Sequence, residues 1–220
     1  MEAEVAVAQL RITEIFHSLQ GEARSVGLPT VFVRLTGCPL RCVWCDTEYA
    51  FAGGELMSVA SVLDSVESFG CQRVCVTGGE PLAQPECVLL LSALCEAGHE
   101  VSLETSGAMS IADIDGRVSR VMDIKCPDSG ESHRNMWSNI DLLTAHDQIK
   151  FVIASRADYE WARFKMDELS LVERAGEVLF SPTHGQLDPR DLAEWMLSDG
   201  LTARFQLQLH KVLWNDEPGH

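Results

Sequence analysis

The stretch VFVRLTGCPLRCVWCDT, residues 31–47, joins an apolar run to three closely spaced cysteines and decides the fold class. Residues 31–37 are rich in β-branched side chains and end in a glycine, a pattern that predicts a buried strand. Cys38, Cys42 and Cys45 then follow with the spacing C-x3-C-x2-C. In a parallel β/α fold, side chains just past the carboxyl end of a strand are where the chemistry resides. The stretch therefore predicts a buried parallel strand that opens onto a reactive site.

Helix and strand patterns alternate along the rest of the chain. Residues 58–70 predict a helix, with Ser58 as its cap and Gly70 as its stop. Further helices are predicted at 85–98, 135–143, 157–169 and 188–200, and strands at 73–79, 100–107, 120–127, 148–155, 177–182 and 204–211. Strands that alternate with helices imply right-handed parallel crossovers. About six or seven strands predict an α/β fold with an incomplete, trimmed parallel β/α barrel, in a single domain over residues 1–220.

Charge and composition narrow the classes of function. The chain has 33 acidic against 17 basic residues, a net charge of −16, and no basic run, so nucleic acid and anionic membranes are poor partners. No apolar run approaches the roughly 18 residues that span a bilayer, and the amino terminus is acidic. Eight cysteines, three of them clustered, suit a reducing compartment better than a disulfide framework. We therefore expect a cytoplasmic protein that uses its cysteine cluster to bind metal.

The cysteine spacing leaves more than one metal site open. A structural zinc site normally closes with four ligands, and no second cysteine pair or HxxxH partner follows. Three thiolates could instead bind three irons of a cubane cluster, whose fourth iron would be free to bind a small molecule. Core thiols or a zinc knuckle remain the alternative.

Two levels of resemblance extend this interpretation. The cysteine motif, followed by Gly78-Gly79-Glu80-Pro81 after the next predicted strand, resembles the radical S-adenosylmethionine (SAM) superfamily. The segments EIFHSLQGE, FVRLTGC, CVWCDTEYAF, TGGEPL, ETSG, DIKCP, QIKFVI and QLHKVLW are similar to the 7-carboxy-7-deazaguanine synthase family. Two departures are visible: Ala23 stands where the first of these motifs more often has glycine, and the tail NDEPGH after Trp214 matches no pattern of the family.

The resemblance implies a fold, a reaction and cofactors. The fold would be the radical SAM type of barrel, holding a [4Fe–4S] cluster, S-adenosyl-L-methionine and Mg²⁺. The reaction would be a lyase step of queuosine precursor biosynthesis, converting 6-carboxy-5,6,7,8-tetrahydropterin to 7-carboxy-7-deazaguanine and ammonia. A radical formed from SAM would take a hydrogen from pterin C6 and later return it. An external electron donor of the flavodoxin or ferredoxin type and a homodimer are expected partners.

The same resemblance implies roles for particular residues. It assigns the cluster to Cys38, Cys42 and Cys45, Mg²⁺ to Thr47, and no side chain to acid–base or nucleophilic catalysis. The SAM pocket would be built from Trp44, Cys45, Asp46, Gly79, Glu80, Ser106, Asp123, Ile124 and Lys125, and the substrate site from Leu19, Gln20, Gly21, Glu22, Arg34 and Thr77.

Three basic residues keep a structural alternative. Arg34 lies in mid-strand, where an unpaired cation is costly, so it either faces the lumen to meet a substrate carboxylate or forms an internal ion pair. For Lys125 and Lys150, a structural ion pair competes almost equally with ligand binding.

Two rival functions remain open at the level of sequence. A protein that activates a glycyl-radical enzyme shares the cysteine spacing and the small size, but it would have to admit a protein loop. A non-catalytic zinc-binding module would contain one zinc ion instead of iron and sulfide.

Overall fold

A computed structural model describes residues 5, 7–215, 217 and 219 of the 220-residue chain. Within these residues, nine strands form a single sheet with the order β3-β1-β2-β4-β5-β6-β7-β8-β9. The strands are Gln9–Leu19 (β1), Pro29–Leu35 (β2), Glu55–Ser58 (β3), Arg73–Gly78 (β4), Glu100–Thr105 (β5), Ser119–Ile124 (β6), Gln148–Ile153 (β7), Glu177–Pro182 (β8) and Arg204–Phe205 (β9). The sheet is open, so the prediction of an incomplete barrel is confirmed, and a closed barrel is excluded.

Most of the longer helices lie where the sequence predicts them. The α-helices are Val59–Glu67 (α1), Cys87–Glu96 (α2), Arg156–Glu168 (α3), Leu171–Arg174 (α4), Pro189–Ser198 (α5) and Leu209–Trp214 (α6). Short 3-10 turns occupy Glu48–Phe51, Pro81–Ala83, Pro127–Ser129, Ser132–Arg134 and Trp137–Leu142. None of the described helices is both long and apolar enough to cross a membrane.

The parallel part of the sheet carries the core. From β2 through β4 to β9, each strand pairs in parallel with its neighbour, and the central strands are buried along nearly their whole length. The predicted cap of α1 is confirmed, since Ser58 Oγ accepts a hydrogen bond from the Ser61 backbone N–H at 3.1 Å. A continuous apolar cluster joins this sheet to α1, α2, α3 and α5. The packed core therefore holds the carboxyl ends of the parallel strands in fixed positions.

The amino-terminal strands differ from the sequence prediction. Strand β1 pairs antiparallel with both β2 and β3, whereas the sequence predicts no strand over residues 11–22. The β1–β2 ladder changes register between Ile12 and Glu14, which marks a bulge at Thr13. A bulge breaks the alternation of apolar and polar residues that identifies a strand. The sheet is therefore mixed, with an antiparallel edge that adds to the trimmed parallel barrel.

Two other predicted elements are shorter or of another type. The predicted last strand is only Arg204–Phe205, and its end belongs to α6, because the Gln206 N–H bonds to Phe180 and the Leu209 N–H to Gly21. The predicted helix at 135–143 is a 3-10 turn. Asn139 there uses its side chain to bond the backbone of the 107–111 loop. In both places tertiary hydrogen bonds override the local pattern.

Ala23, which departs from the glycine of the family motif, has a left-handed backbone conformation with φ of 63°. Glycine adopts that conformation without steric cost, which gives a physical reason for the glycine in the motif that this segment resembles. The turn is held despite the strain, since the Ala23 N–H donates to Gln206 Oε1 at 2.6 Å and the residue is buried.

Candidate functional site

A cavity of about 530 Å³ opens at the carboxyl ends of the parallel strands. Its walls come from the loops after β1, β2, β4, β5, β6 and β8 and from α6. The cavity is lined by these predicted site residues: Leu19, Gln20, Gly21, Glu22, Arg34, Cys38, Cys42, Trp44, Cys45, Asp46, Thr47, Thr77, Gly79, Ser106, Asp123 and Lys125. The other two predicted site residues, Glu80 and Ile124, are buried and do not line the cavity.

The three cysteines form one wall of this cavity. All are free thiols of intermediate burial, and the loop that carries them is held by a hydrogen bond from the Val43 N–H to Ser129 O at 3.1 Å. Burial raises the thiol pKa of all three, to about 11 for Cys42, with the charge of Lys125 opposing the shift. Metal binding must therefore displace protons from these thiols.

The cysteine wall fits an iron–sulfur cubane. Within the described residues, no group of three His, Cys, Asp or Glu side chains is arranged around one metal ion. A cubane does not need that arrangement, because each thiolate binds a different iron. Gly79 allows its backbone to lie close to Cys38, since a Cβ at position 79 would lie only 2.7 Å from the Cβ of Cys38. The donor set and the close glycine backbone match a cluster that keeps one iron free for a small ligand.

Glu80 has a different place from the one expected. Its carboxylate is fully buried and accepts hydrogen bonds from the Leu82 N–H, the Thr105 hydroxyl and both the N–H and hydroxyl of Ser106. These bonds tie the loop after β4 to the end of β5. Glu80, which the resemblance assigns to the SAM pocket, therefore does not line the cavity in this structure, and its carboxylate orients Ser106 at the cavity wall. Ile124 is likewise buried, at the end of β6.

Arg34 combines the two roles that the sequence left open. Its Nε donates to Glu14 Oε1 at 2.7 Å, so it forms an internal ion pair. It also lines the cavity, next to Phe16 and Phe32, whose rings stack with centroids 4.9 Å apart. Because β1 was not predicted as a strand, neither Glu14 nor Phe16 could be assigned to the site from sequence.

A buried network of charges forms the floor. Lys150 Nζ lies 2.7 Å from Glu22 Oε2 and 3.6 Å from Asp123 Oδ2, and Lys125 Nζ lies 3.1 Å from the same Asp123 oxygen. Gln206 and Gln208 also donate to Glu22, at 3.3 and 2.9 Å. Burial alone would raise the pKa of Glu22, but the charge and hydrogen bond of Lys150, with the Gln208 hydrogen bond and the charge of His210, together outweigh burial and lower that pKa. Lys150 is thus a structural partner of two predicted site residues.

Glu104 joins the floor as a carboxyl group of a different kind. It accepts weak hydrogen bonds from Gln20 at 3.2 Å and Thr77 at 3.5 Å. Burial raises its pKa above the ordinary value, and the lysine and arginine charges nearby only partly oppose this. The sequence signalled this residue only as a polar group at a strand end, and no role was assigned to it.

Helix α6 closes one side of the cavity. A Cβ on Gly21 would overlap the ring of His210, so glycine is needed for this close approach. Lys211 Nζ lies 3.3 Å from Asp46 Oδ2, which connects α6 to the cysteine loop. His210 and Lys211 therefore line the cavity from a helix and not from a strand end.

The chain is similar to known proteins at the level of a superfamily and of a particular family. Residues 32–124 match the family model "Radical SAM superfamily", and together the fold and the cysteine wall define an enzyme of the radical SAM class. A 7-carboxy-7-deazaguanine synthase of Koribacter versatilis (strain Ellin345) is 43% identical to this chain, covering 94% of it and 98% of the relative. One from Chlorobaculum tepidum is 44% identical over 96% of each. The chain belongs to the 7-carboxy-7-deazaguanine synthase family.

A solved structure supports the fold separately. The crystal structure of QueE from Escherichia coli matches with a TM-score of 0.76 at 22% identity, covering 92% of this chain and 95% of that one. At this identity the match concerns the fold alone, and it agrees with the open, mostly parallel sheet described above.

Proposed function

We propose that this enzyme converts 6-carboxy-5,6,7,8-tetrahydropterin to 7-carboxy-7-deazaguanine with release of ammonia, a step toward queuosine. One observation carries the proposal: an arginine with the geometry to bind a carboxylate shares a cavity of about 530 Å³ with the three cysteines. That volume suits small-molecule ligands, for which typical pockets range from about 300 to 1,000 Å³. The names of the close relatives support the same activity.

The cofactors would occupy the cysteine side of the cavity. Cys38, Cys42 and Cys45 would hold a [4Fe–4S] cluster, which with bound SAM supplies a carbon radical able to remove a hydrogen atom from the substrate. Trp44, Asp46, Gly79, Ser106, Asp123 and Lys125 would form the SAM walls, with Ile124 and Glu80 supporting them from below. The protein's share is to enclose the reactive site and keep water from it.

The substrate would lie on the opposite wall. The guanidinium of Arg34 can pair with the pterin carboxylate, since arginine matches a planar carboxylate in a two-bond fork. The segment Leu19 to Glu22 and the hydroxyl of Thr77 offer donors and acceptors to the polar edge of the pterin. Such edges require partners, because each buried unpaired polar group costs about 1–3 kcal/mol. No side chain needs to act as acid, base or nucleophile, so positioning is the main contribution.

Mg²⁺ would bind with the substrate at Thr47. The Thr47 hydroxyl lines the cavity and donates to Asp46 Oδ1 at 2.8 Å, which leaves its oxygen lone pairs for a metal. Mg²⁺ prefers octahedral oxygen ligands and retains waters, so one protein hydroxyl plus substrate oxygens is a suitable set.

Several wider expectations remain part of the proposal. We infer that residues 1–220 form one radical SAM domain, which the single sheet and the nearly full-length matches to relatives support. A flavodoxin or ferredoxin type of electron donor, a homodimer and a cytoplasmic location stay predictions from the sequence. The activating-protein and zinc-module alternatives gain no support from the relatives.

The test is anaerobic turnover by protein reconstituted with iron and sulfide, given SAM, a reductant, Mg²⁺ and the carboxypterin. We expect 7-carboxy-7-deazaguanine and ammonia in equal amounts, identified by mass, with no product from the single Cys38→Ala, Cys42→Ala or Cys45→Ala proteins. Wild-type protein that holds a full cluster and cleaves SAM but leaves the carboxypterin unchanged would refute the proposed substrate. One zinc per chain in place of iron and sulfide would refute the class of cofactor.

A further inference from the structure

A bulge in strand β1 brings a carboxylate opposite Arg34. Before the bulge Ile12 pairs with Leu35, and after it Glu14 pairs with Arg34. If the first register continued, Thr13 would face Arg34 and Glu14 would face Val33. Directly opposed residues of an antiparallel pair point to the same face of the sheet, so the shift by one residue places Glu14 beside the arginine. Bulges next to active sites commonly redirect a side chain in this way.

The bulge is held by bonds of its own. Thr13 Oγ1 lies 2.7 Å from Thr36 Oγ1, and the Thr36 N–H donates to Arg11 O at 2.9 Å. The register shift is therefore fixed by the sheet and does not depend on the ion pair that it creates.

Three contacts fix the orientation of the Arg34 guanidinium. Glu14 Oε1 accepts from Arg34 Nε at 2.7 Å and from the Tyr49 hydroxyl at 2.9 Å. The rings of Phe16 and Tyr49 each have their centroid 5.8 Å from the guanidinium carbon, within the range of a cation–π contact. Among the described residues, no protein acceptor bonds the two Nη atoms of Arg34. Those atoms are the ones that a carboxylate would use in a two-bond fork.

We propose that Glu14 and Tyr49 are positioning residues, which hold Arg34 by its Nε edge and direct its Nη edge toward the carboxylate of the substrate. This inference rests on the proposed function, because it takes Arg34 as the carboxylate-binding group. Neither Glu14 nor Tyr49 lines the cavity, so both act through Arg34 and not on the substrate itself. Tyr49 lies two residues after Thr47, and thus connects the cysteine loop to the substrate wall.

A competing interpretation predicts the opposite change in carboxylate binding when Glu14 is removed. If Glu14 only neutralised Arg34, it would compete with a substrate carboxylate for the same cation. Removal of Glu14 would then tighten the binding of a carboxylate ligand, whereas loss of positioning would weaken it.

The experiment compares two fluorescent probes that differ only in the carboxylate, 6-carboxypterin and pterin. Their dissociation constants are measured anaerobically by fluorescence titration of the cluster-loaded protein with SAM present. The ratio of the two constants isolates the carboxylate contribution, because damage to the fold changes both. The variants are Glu14→Ala, Glu14→Gln and Tyr49→Phe, with Arg34→Lys as the test of the underlying function.

A matched control comes from a second arginine–glutamate pair. Arg73 and Glu100 are opposed on β4 and β5 with Nε and Oε2 3.0 Å apart, and neither residue lines the cavity. Glu100→Ala removes the same kind of partner at a distance from the site and should leave the probe ratio unchanged.

We expect Glu14→Ala to lower the preference for 6-carboxypterin about tenfold, the scale of one charge-assisted hydrogen bond. Glu14→Gln keeps an acceptor oxygen for Nε and should retain the wild-type preference or exceed it. Tyr49→Phe keeps the ring and removes one bond, so a loss of about threefold is expected.

The outcomes distinguish a failure of the proposed role of Arg34 from a failure of the positioning inference alone. If the wild type shows no preference, or Arg34→Lys leaves it unchanged, the proposed role of Arg34 fails and the positioning inference fails with it. If the wild type shows an Arg34-dependent preference and Glu14→Ala retains or increases it, the proposed function stands and the positioning inference is overturned.

Discussion

Lys150→Met tests the buried charge network at the floor of the cavity. Lys150 is 8% exposed and is the shared partner of Glu22 and Asp123. Methionine has similar length and no charge, so the substitution removes the ammonium without leaving a large void. Both carboxylates then lose a cation while their own side chains stay largely buried.

The structure sets the size of the effect. Breaking a buried ion pair from one side costs about 3–5 kcal/mol, because the remaining charge stays buried. Glu22 would keep its bonds from Gln206 and Gln208, and Asp123 would keep Lys125. We therefore expect the lower end, a loss of about 3 kcal/mol in the free energy of unfolding at neutral pH. Glu22→Gln combined with Lys150→Met should recover about half of that loss, since one stranded charge is gone.

The assay is anaerobic urea unfolding followed by tryptophan fluorescence, at several pH values. In the wild type burial is outweighed by Lys150 together with Gln208 and His210, so the pKa of Glu22 is lowered. The stability contribution of Glu22 is therefore present at neutral pH and is lost as the pH falls through its folded-state pKa. In the variant burial is opposed only by the Gln208 hydrogen bond and the charge of His210, so the pKa of Glu22 should rise and protonation should relieve part of the penalty. The difference between the two proteins should shrink as the pH is lowered from about 8 to about 5.

Lys165→Met is the matched control, because Lys165 pairs with Glu168 on a solvent-exposed part of α3. It should cost at most about 1 kcal/mol, including its contacts with aromatic rings. A loss below 1 kcal/mol for Lys150→Met, or a difference that grows at low pH, would show that the network is solvated and does not brace the floor.

Three further substitutions test separate walls of the site. Arg34→Lys should raise the KM for the carboxypterin well beyond any change for SAM, because lysine keeps the charge and loses the fork; equal losses for both ligands would make Arg34 purely structural. Thr47→Val should retain the cluster and lose most of the Mg²⁺ stimulation of turnover, whereas equal stimulation of both proteins would locate the metal elsewhere. Gly79→Ala should lower the iron content after reconstitution, because its Cβ would lie 2.7 Å from the Cβ of Cys38, while Gly116→Ala, with open space around it, should not; full iron content in Gly79→Ala would contradict the close fit.

The sequence predicted the parallel strands and most helices because their signals are local. The cap at Ser58 and the apolar face of α1 are examples, since both lie within a single element. Strand β1 was not predicted, because the bulge at Thr13 interrupts the alternation between Ile12 and Glu14. Without β1 in the prediction, Glu14 could not be identified as the partner of Arg34.

The candidate site was predictable to the extent that its chemistry is written in motifs. The cysteine spacing and the glycine pair are short, contiguous signals, and the residues of both line one cavity. Pairings between distant segments carry no such signal. Glu22 and Lys150 are 128 residues apart and meet only because β7 and the loop after β1 face the same cavity. Glu80 shows the converse, because a motif residue expected to meet a ligand is used to hold two loops together.

The most direct test of the central claim follows a deuterium label placed at C6 of the carboxypterin. If this position lies against SAM in the cavity, its hydrogen should pass to the cofactor and return. The measurement is the deuterium content of SAM recovered from an anaerobic reaction of the reconstituted protein, together with the amount of SAM consumed. We predict deuterium in the recovered SAM, with many molecules of 7-carboxy-7-deazaguanine formed for each SAM lost. Product formed without label in SAM, or SAM consumed in step with the substrate, would contradict the account.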